Sequence, residues 1–262
     1  MSFKRALVVV LAVSWLGGCM TPSDKQAEQE RRQRLASTHT QLGISYMQRG
    51  QSDIAKDEFR KALDAEPDNP EITNMMALLL FRLREFDEAE KYFRRATEGK
   101  GNPGAWNNYG IFLCERGRYG EADTAFLRAL TDKTYKTPAE ANVNAGMCQM
   151  RKPAPAAAER FFRAALDLNP KQPRALVEMA RISFNAGRTI SARAFMQRYF
   201  EVGEDRPEVL LLATRIERVM GNHNAEASYA MRLTGKFPDS PEVTELKKDT
   251  SSGGKNSGKA TR

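Results

Sequence analysis

Residues 142–170 read NVNAGMCQMRKPAPAAAERFFRAALDLNP, and their spacing decides the fold. Gly146 is followed by Ala158, Phe162, Ala165 and Pro170. The order is small, small, large apolar, small, and then proline, which stops a helix because it lacks an N–H and clashes with the preceding turn. The same order stands at Gly43, Ala55, Phe59, Ala62 and Pro67, and again at Gly110, Ala122, Phe126 and Ala129. The first position of this template falls at Gly43, Ala77, Gly110, Gly146, Ala180 and Thr214, at intervals of 34, 33, 36, 34 and 34 residues. Each unit reads as two short helices that cross closely where the residues are small. The aromatic fills the hole toward the next pair. One such hairpin leaves an apolar face uncovered, so neighbours must stack.

A self-similarity of about 34 residues is the signature of the tetratricopeptide repeat, a helix–turn–helix unit. The expected fold is an all-α superhelical solenoid. Its six repeats cover residues 36–69, 70–102, 103–136, 139–172, 173–206 and 207–240, within a repeat domain of residues 35–246. Trp106 stands where that pattern has its tryptophan. Thr214 and Ala230 depart from it, as suits a last repeat with one face in water.

The formal charge of +8 is concentrated at the chain ends. Residues 19–246 carry only +2 of it, so bulk basicity is poor support for nucleic-acid binding. A mean hydropathy of −0.58 leaves most helices with a wet face. Residues 247–262 are polar and basic and are expected to be disordered.

Residues 1–18 have the form of an export signal: Lys4 and Arg5, then an apolar run over residues 6–16, then small residues. Eleven apolar residues are too few to span a bilayer, which takes about 20. The run Leu16, Gly17, Gly18, Cys19 resembles the bacterial lipoprotein signal, cut just before a diacylated cysteine. That resemblance makes Cys19 the lipidated mature N-terminus. Met20 in place of aspartate favours the outer membrane, with the protein held at its periplasmic face. Residues 19–34 read as a polar tether between lipid and repeats.

Chemistry is sparse. His39 and His223 have no spaced ligand set and read as surface or packing residues. No phosphate loop, nucleophile elbow or HExxH run occurs, so no enzyme activity, metal, cofactor or small-molecule substrate is expected. Cys114 and Cys148 fall on the first helices of neighbouring repeats. Geometry decides whether they pair, and two buried free thiols are the expectation.

What remains is the surface. The first helix of each repeat should line a concave groove. Its ninth position reads Ile44, Leu78, Ile111, Met147, Arg181, Arg215, and its twelfth reads Met47, Phe81, Cys114, Met150, Phe184, Arg218. The N-terminal half should be apolar and the C-terminal half basic. Ile44, Met47, Leu78, Phe81, Ile111, Cys114 and Met147 are the candidate partner-binding residues. An exposed apolar strip marks a partner site, here for an amphipathic or extended protein segment.

A signal ending in a lipidated cysteine followed by six such repeats resembles the PilF/PilW lipoproteins of the bacterial type IV pilus system. The runs QLGISYMQRGQSDIAKDEFRKALDAEPDN, NNYGIFLCERGRYGEAD and LNPKQPRALVEMA carry the likeness. It implies a pilotin, which binds subunits of the pilus secretin and promotes their outer-membrane localisation and multimerisation, for pilus biogenesis and twitching motility. Two alternatives are a general periplasmic scaffold for barrel assembly and a regulator of peptidoglycan enzymes.

Overall fold

The computed structural model describes residues 22–98, 102–152 and 154–253. Cys19, the signal and residues 254–262 lie outside the described residues. The described residues form thirteen helices, all α, and no strand. They are α1 (Pro22–Gln48), α2 (Ser52–Ala65), α3 (Pro70–Arg82), α4 (Phe86–Thr97), α5 (Pro103–Glu115), α6 (Tyr119–Thr131) and α7 (Pro138–Arg151). The chain continues through α8 (Pro155–Leu168), α9 (Pro173–Asn185), α10 (Thr189–Phe200), α11 (Pro207–Val219), α12 (His223–Lys236) and α13 (Pro241–Gly253). None of the described helices is long and apolar enough to cross a membrane. The chain divides into two compact units after Ile72, inside α3. The first unit is built on the α1–α2 hairpin. The second stacks successive hairpins from α3–α4 to α11–α12, followed by α13.

Punctuation in the sequence sets the helix ends. Proline opens α3, α5, α7, α8, α9, α11 and α13, where its missing N–H costs nothing. Gly50, Gly117, Gly187 and Gly221 turn between the two helices of a repeat with φ of 71–75°. Arg84 occupies the same turn with φ 62°, the one non-glycine among the described residues at positive φ. Left-handed backbone costs an L-residue about 1–2 kcal/mol.

The repeat template resolves into one recurring contact. A Cβ on Gly43 would lie 2.7 Å from the Phe59 ring, on Gly110 2.8 Å from Phe126, and on Gly146 2.7 Å from Phe162. Real Cβ atoms do not approach so closely, so the glycine is required by the ring. All three rings are buried, at 0–1% exposure. At the same sequence separation Ala77 is matched with Phe93, Ala180 with Met196 and Thr214 with Ala230. Where the first-helix position carries threonine in place of glycine or alanine, the second-helix position carries alanine in place of a large apolar residue.

Three expectations are corrected. Residues 22–34, read as a tether, form the first turns of α1. Good helix formers, Asp24 in the first turn and pairs such as Glu28 with Arg31 (2.8 Å) extend a helix whose C-terminal half is already docked by Ala36 and Gly43. Residues 247–253, read as disordered, complete α13. That helix buries Val243 and Leu246 against Leu210, Leu211 and Leu233. It does so in the place of the first helix of a further repeat. Finally, Cys114 and Cys148 form a disulfide, with their Cα atoms 5.9 Å apart. Equivalent positions on adjacent first helices fall within disulfide reach. Closing 34 residues of chain stabilises the fold by about 4 kcal/mol in the chain-entropy account.

If the small–large pair sets the helix crossing, Gly146→Val destabilises by about 1–3 kcal/mol and Phe162→Ala by about 3–5 kcal/mol. The double variant is then less unstable than their sum by over 1 kcal/mol, measured by chemical denaturation. Simple additivity contradicts the pairing.

Candidate functional site

The candidate residues sit on first helices. In the first unit, Ile44 and Met47 lie on α1 and are half-buried. In the second unit, Leu78 and Phe81 on α3, Ile111 on α5 and Met147 on α7 are also half-buried. Each keeps part of its apolar surface in water. Cys114 is lost from the set, because it is buried and spent in the disulfide.

The strip is less free than its sequence suggests. The Phe81 ring centroid stands 5.4 Å from that of Phe112 and 6.4 Å from that of Phe93, so Phe81 also closes the core. Met147, Met150 and Phe184 pack against the core that runs through α7 to α11. Apolar residues at these positions therefore serve stacking as well as surface.

Beside the strip runs a chain of asparagines that the sequence reading missed. Asn144 Nδ2 donates to Asn107 Oδ1 (3.2 Å), Asn107 Nδ2 to Asn108 Oδ1 (3.4 Å), and Asn108 Nδ2 to Asn74 Oδ1 (3.2 Å). Asn74, Asn107 and Asn144 precede Leu78, Ile111 and Met147 by one helical turn, so amide and apolar rows share a face. Their recurrence at 33–37 residues was the signal available.

The expected basic half does not stand as a net positive surface. Arg215 pairs with Asp249 (2.7 Å) and Glu245 (3.0 Å) of α13, Arg218 with Glu226 (2.6 Å), and Arg181 with Glu178 (3.4 Å). The helix missed at residues 247–253 supplies Asp249. His39 Nδ1 meets Glu58 Oε2 at 2.6 Å within the first unit, and His223 is exposed. Among the described residues no group of His, Cys, Asp or Glu could hold a metal.

Ion pairs also clamp successive repeats. Glu90 of α4 takes both Arg118 Nη1 (2.8 Å), just before α6, and its own helix's Arg94 (2.6 Å). Glu159 of α8 takes Arg188 (2.8 Å) and Arg163 (2.6 Å) in the same register. Asp205 is held by Arg232 and Lys236 of α12. Burial raises the Glu90 carboxyl, but the Arg118 and Arg94 hydrogen bonds outweigh it and leave it below the usual range. Arg163 chiefly lowers Glu159, helped by Arg188, and Arg232 then Lys236 lower Asp205.

With this geometry in place, the chain is a tetratricopeptide-repeat protein. Tetratricopeptide-repeat family models match residues 40–105, 74–141, 113–173 and 154–216. The chain is 31% identical over 249 residues to the type IV pilus assembly protein PilF of Pseudomonas aeruginosa, covering 94% of this chain and 98% of that protein. A solved structure of P. aeruginosa PilF matches with a TM-score of 0.76 at 30% identity, over 83% of this chain and 99% of that one. PilW, described as a widely conserved type IV pilus biogenesis factor, matches with a TM-score of 0.71 at 31% identity, over 80% and 97%. This chain belongs to the PilF/PilW family of type IV pilus biogenesis factors.

Carboxyls lowered by folding stabilise the protein above their unfolded values. That stability is fully present above the ordinary carboxylate value of about 4 and is lost as pH falls from there through the lowered folded values. The denaturation midpoint is expected to hold from pH 7 down to about that value and then fall. The fall should be shallower in a Glu90→Gln/Glu159→Gln/Asp205→Asn variant, which starts from a lower midpoint. An equally steep fall in that variant would assign acid sensitivity to other groups.

Proposed function

We propose that this protein is a lipid-anchored pilotin. It binds subunits of the type IV pilus secretin in the periplasm, carries them to the outer membrane and promotes their multimerisation. The observation that carries this reading is the likeness to PilF over 98% of that protein's length, which makes a shared role in pilus assembly the simplest expectation. Two features support the compartment and the means. A disulfide across α5 and α7 suits an oxidising space outside the cytoplasm. Cys19, in its lipoprotein-like context, stands three residues before Pro22, where α1 opens. The three Cα–Cα steps from Cys19 to Pro22 span at most about 11 Å, so an acyl anchor at Cys19 attaches close to the start of α1.

The mechanism is physical. Acyl chains contribute about 0.8 kcal/mol per buried CH₂ and hold the protein at the membrane. The half-exposed row at Leu78, Phe81, Ile111 and Met147 seats an apolar segment of the secretin. Confinement to a surface raises the local concentration of secretin subunits and drives their association.

Cys19→Ser should leave helicity intact, release the protein from the membrane fraction and sharply reduce secretin multimers in the outer membrane. Leu78→Asp and Ile111→Asp should each weaken retention of a periplasmic secretin fragment by more than ten-fold without loss of helicity. Normal multimers in the first variant defeat the carrier role. Undiminished retention by the other two removes the groove assignment.

A further inference from the structure

Arg84 is a residue in the wrong conformation for its type. Four equivalent turns place glycine at positive φ, and only here does a side chain stand in its stead among the described residues. Strain of this kind persists where something else selects the residue. The Arg84 side chain lines a cavity of about 400 Å³ at the edge of the stack, together with Phe81, Arg82, Phe86, Glu115 and Arg116.

The charges in this cavity are unequal. Glu115 is committed to Arg151 at 2.6 Å. The Arg116 guanidinium carbon lies 4.5 Å above the Phe86 ring centroid, a cation–π contact, while the residue stays exposed. Neither Arg84 nor Arg116 forms an ion pair among the described residues, and both are exposed. Elsewhere on this edge arginines are engaged: Arg118 holds Glu90 and Glu121, and Arg188 holds Glu159. Two guanidiniums free of ion pairs, one of them over an aromatic ring, are a receptor for a planar anion. Phe81 belongs both to this cavity and to the apolar row with Leu78 and Ile111. A segment lying on that row therefore comes beside the cavity that the two guanidiniums line.

We propose that Arg84 and Arg116 receive an Asp or Glu side chain of the partner segment whose apolar residues lie on Leu78, Phe81 and Ile111. This rests on the groove being the partner site and adds the chemistry of what it accepts: an apolar segment with a carboxylate at one end. Arg84 is then retained for binding, against the preference of its turn for glycine.

Two measurements on the full mature chain test it. In the first, the Arg Nε–H NMR signals are followed during titration with hexaglutamate and, at equal ionic strength, inorganic phosphate. Arg84 and Arg116 should move saturably with hexaglutamate and little with phosphate. No movement overturns the site, and an equal response to phosphate overturns its assignment to carboxylates. In the second, Arg84→Gly should weaken binding of a periplasmic secretin fragment about five-fold while raising Tm by about 2–4 °C. Arg116→Gln should weaken binding similarly with no gain in Tm. Unchanged affinity in both variants overturns the proposal. A wild-type chain that ignores secretin sinks the pilotin reading instead, and the NMR titration still decides the site.

Discussion

The structure depends on one steric constraint: two helix backbones can cross only as closely as the residues between them allow. Glycine at positions 43, 110 and 146 lets each first helix settle onto a phenylalanine ring from the second, with less space than a methyl group needs. The ring is then almost wholly buried, at 0–1% exposure. The hydrophobic gain is therefore tied to a particular crossing rather than to burial in general. Where the first-helix residue is larger, at Thr214, the partner shrinks to Ala230, and the hydroxyl is satisfied by the Leu210 carbonyl at 2.8 Å.

Stacking the hairpins of the second unit calls for more than apolar contact. Glu90 with Arg118 and Glu159 with Arg188 repeat one geometry at alternate junctions. Asp123 accepts from Gln149 at the junction between them, and Arg193 meets Glu217 further on. The directional bonds of Arg118, Arg188 and Gln149 fix the rotation of one hairpin against the next, which apolar surfaces alone leave loose. The amide chain through Asn74, Asn108, Asn107 and Asn144 does the same on the first-helix face. The Cys114–Cys148 bond adds a covalent tie there. A scaffold whose own joints are set this firmly can offer a preformed surface to a partner, with little ordering left to do on binding.

The repeat fold was legible because its constraint is local in sequence: a small residue and a ring sixteen positions apart, recurring. The misreadings share a cause. Residues 22–34 and 247–253 lack an apolar period, and were set aside, yet each continues a helix whose apolar residues lie just inside the domain. Once a helix is nucleated, polar residues of good propensity prolong it. The groove was read only in part. Its apolar positions other than Cys114 are half-buried on first helices, and their share in the core depends on how adjacent hairpins rotate. The arginines at 181, 215 and 218 looked like a basic surface because their partners, Glu178, Asp249 and Glu226, lie elsewhere in the pattern. The disulfide turned on a distance of 5.9 Å that spacing alone does not determine.

The most direct test of this account is proton NMR of the three glycine–phenylalanine contacts. The α-protons of Gly43, Gly110 and Gly146 should each show a strong nuclear Overhauser effect to the ring of Phe59, Phe126 and Phe162, respectively. Each should also be shifted upfield by the ring current. Glycine signals at ordinary shifts, with no effect to those rings, would mean that the helices do not cross where the repeats require.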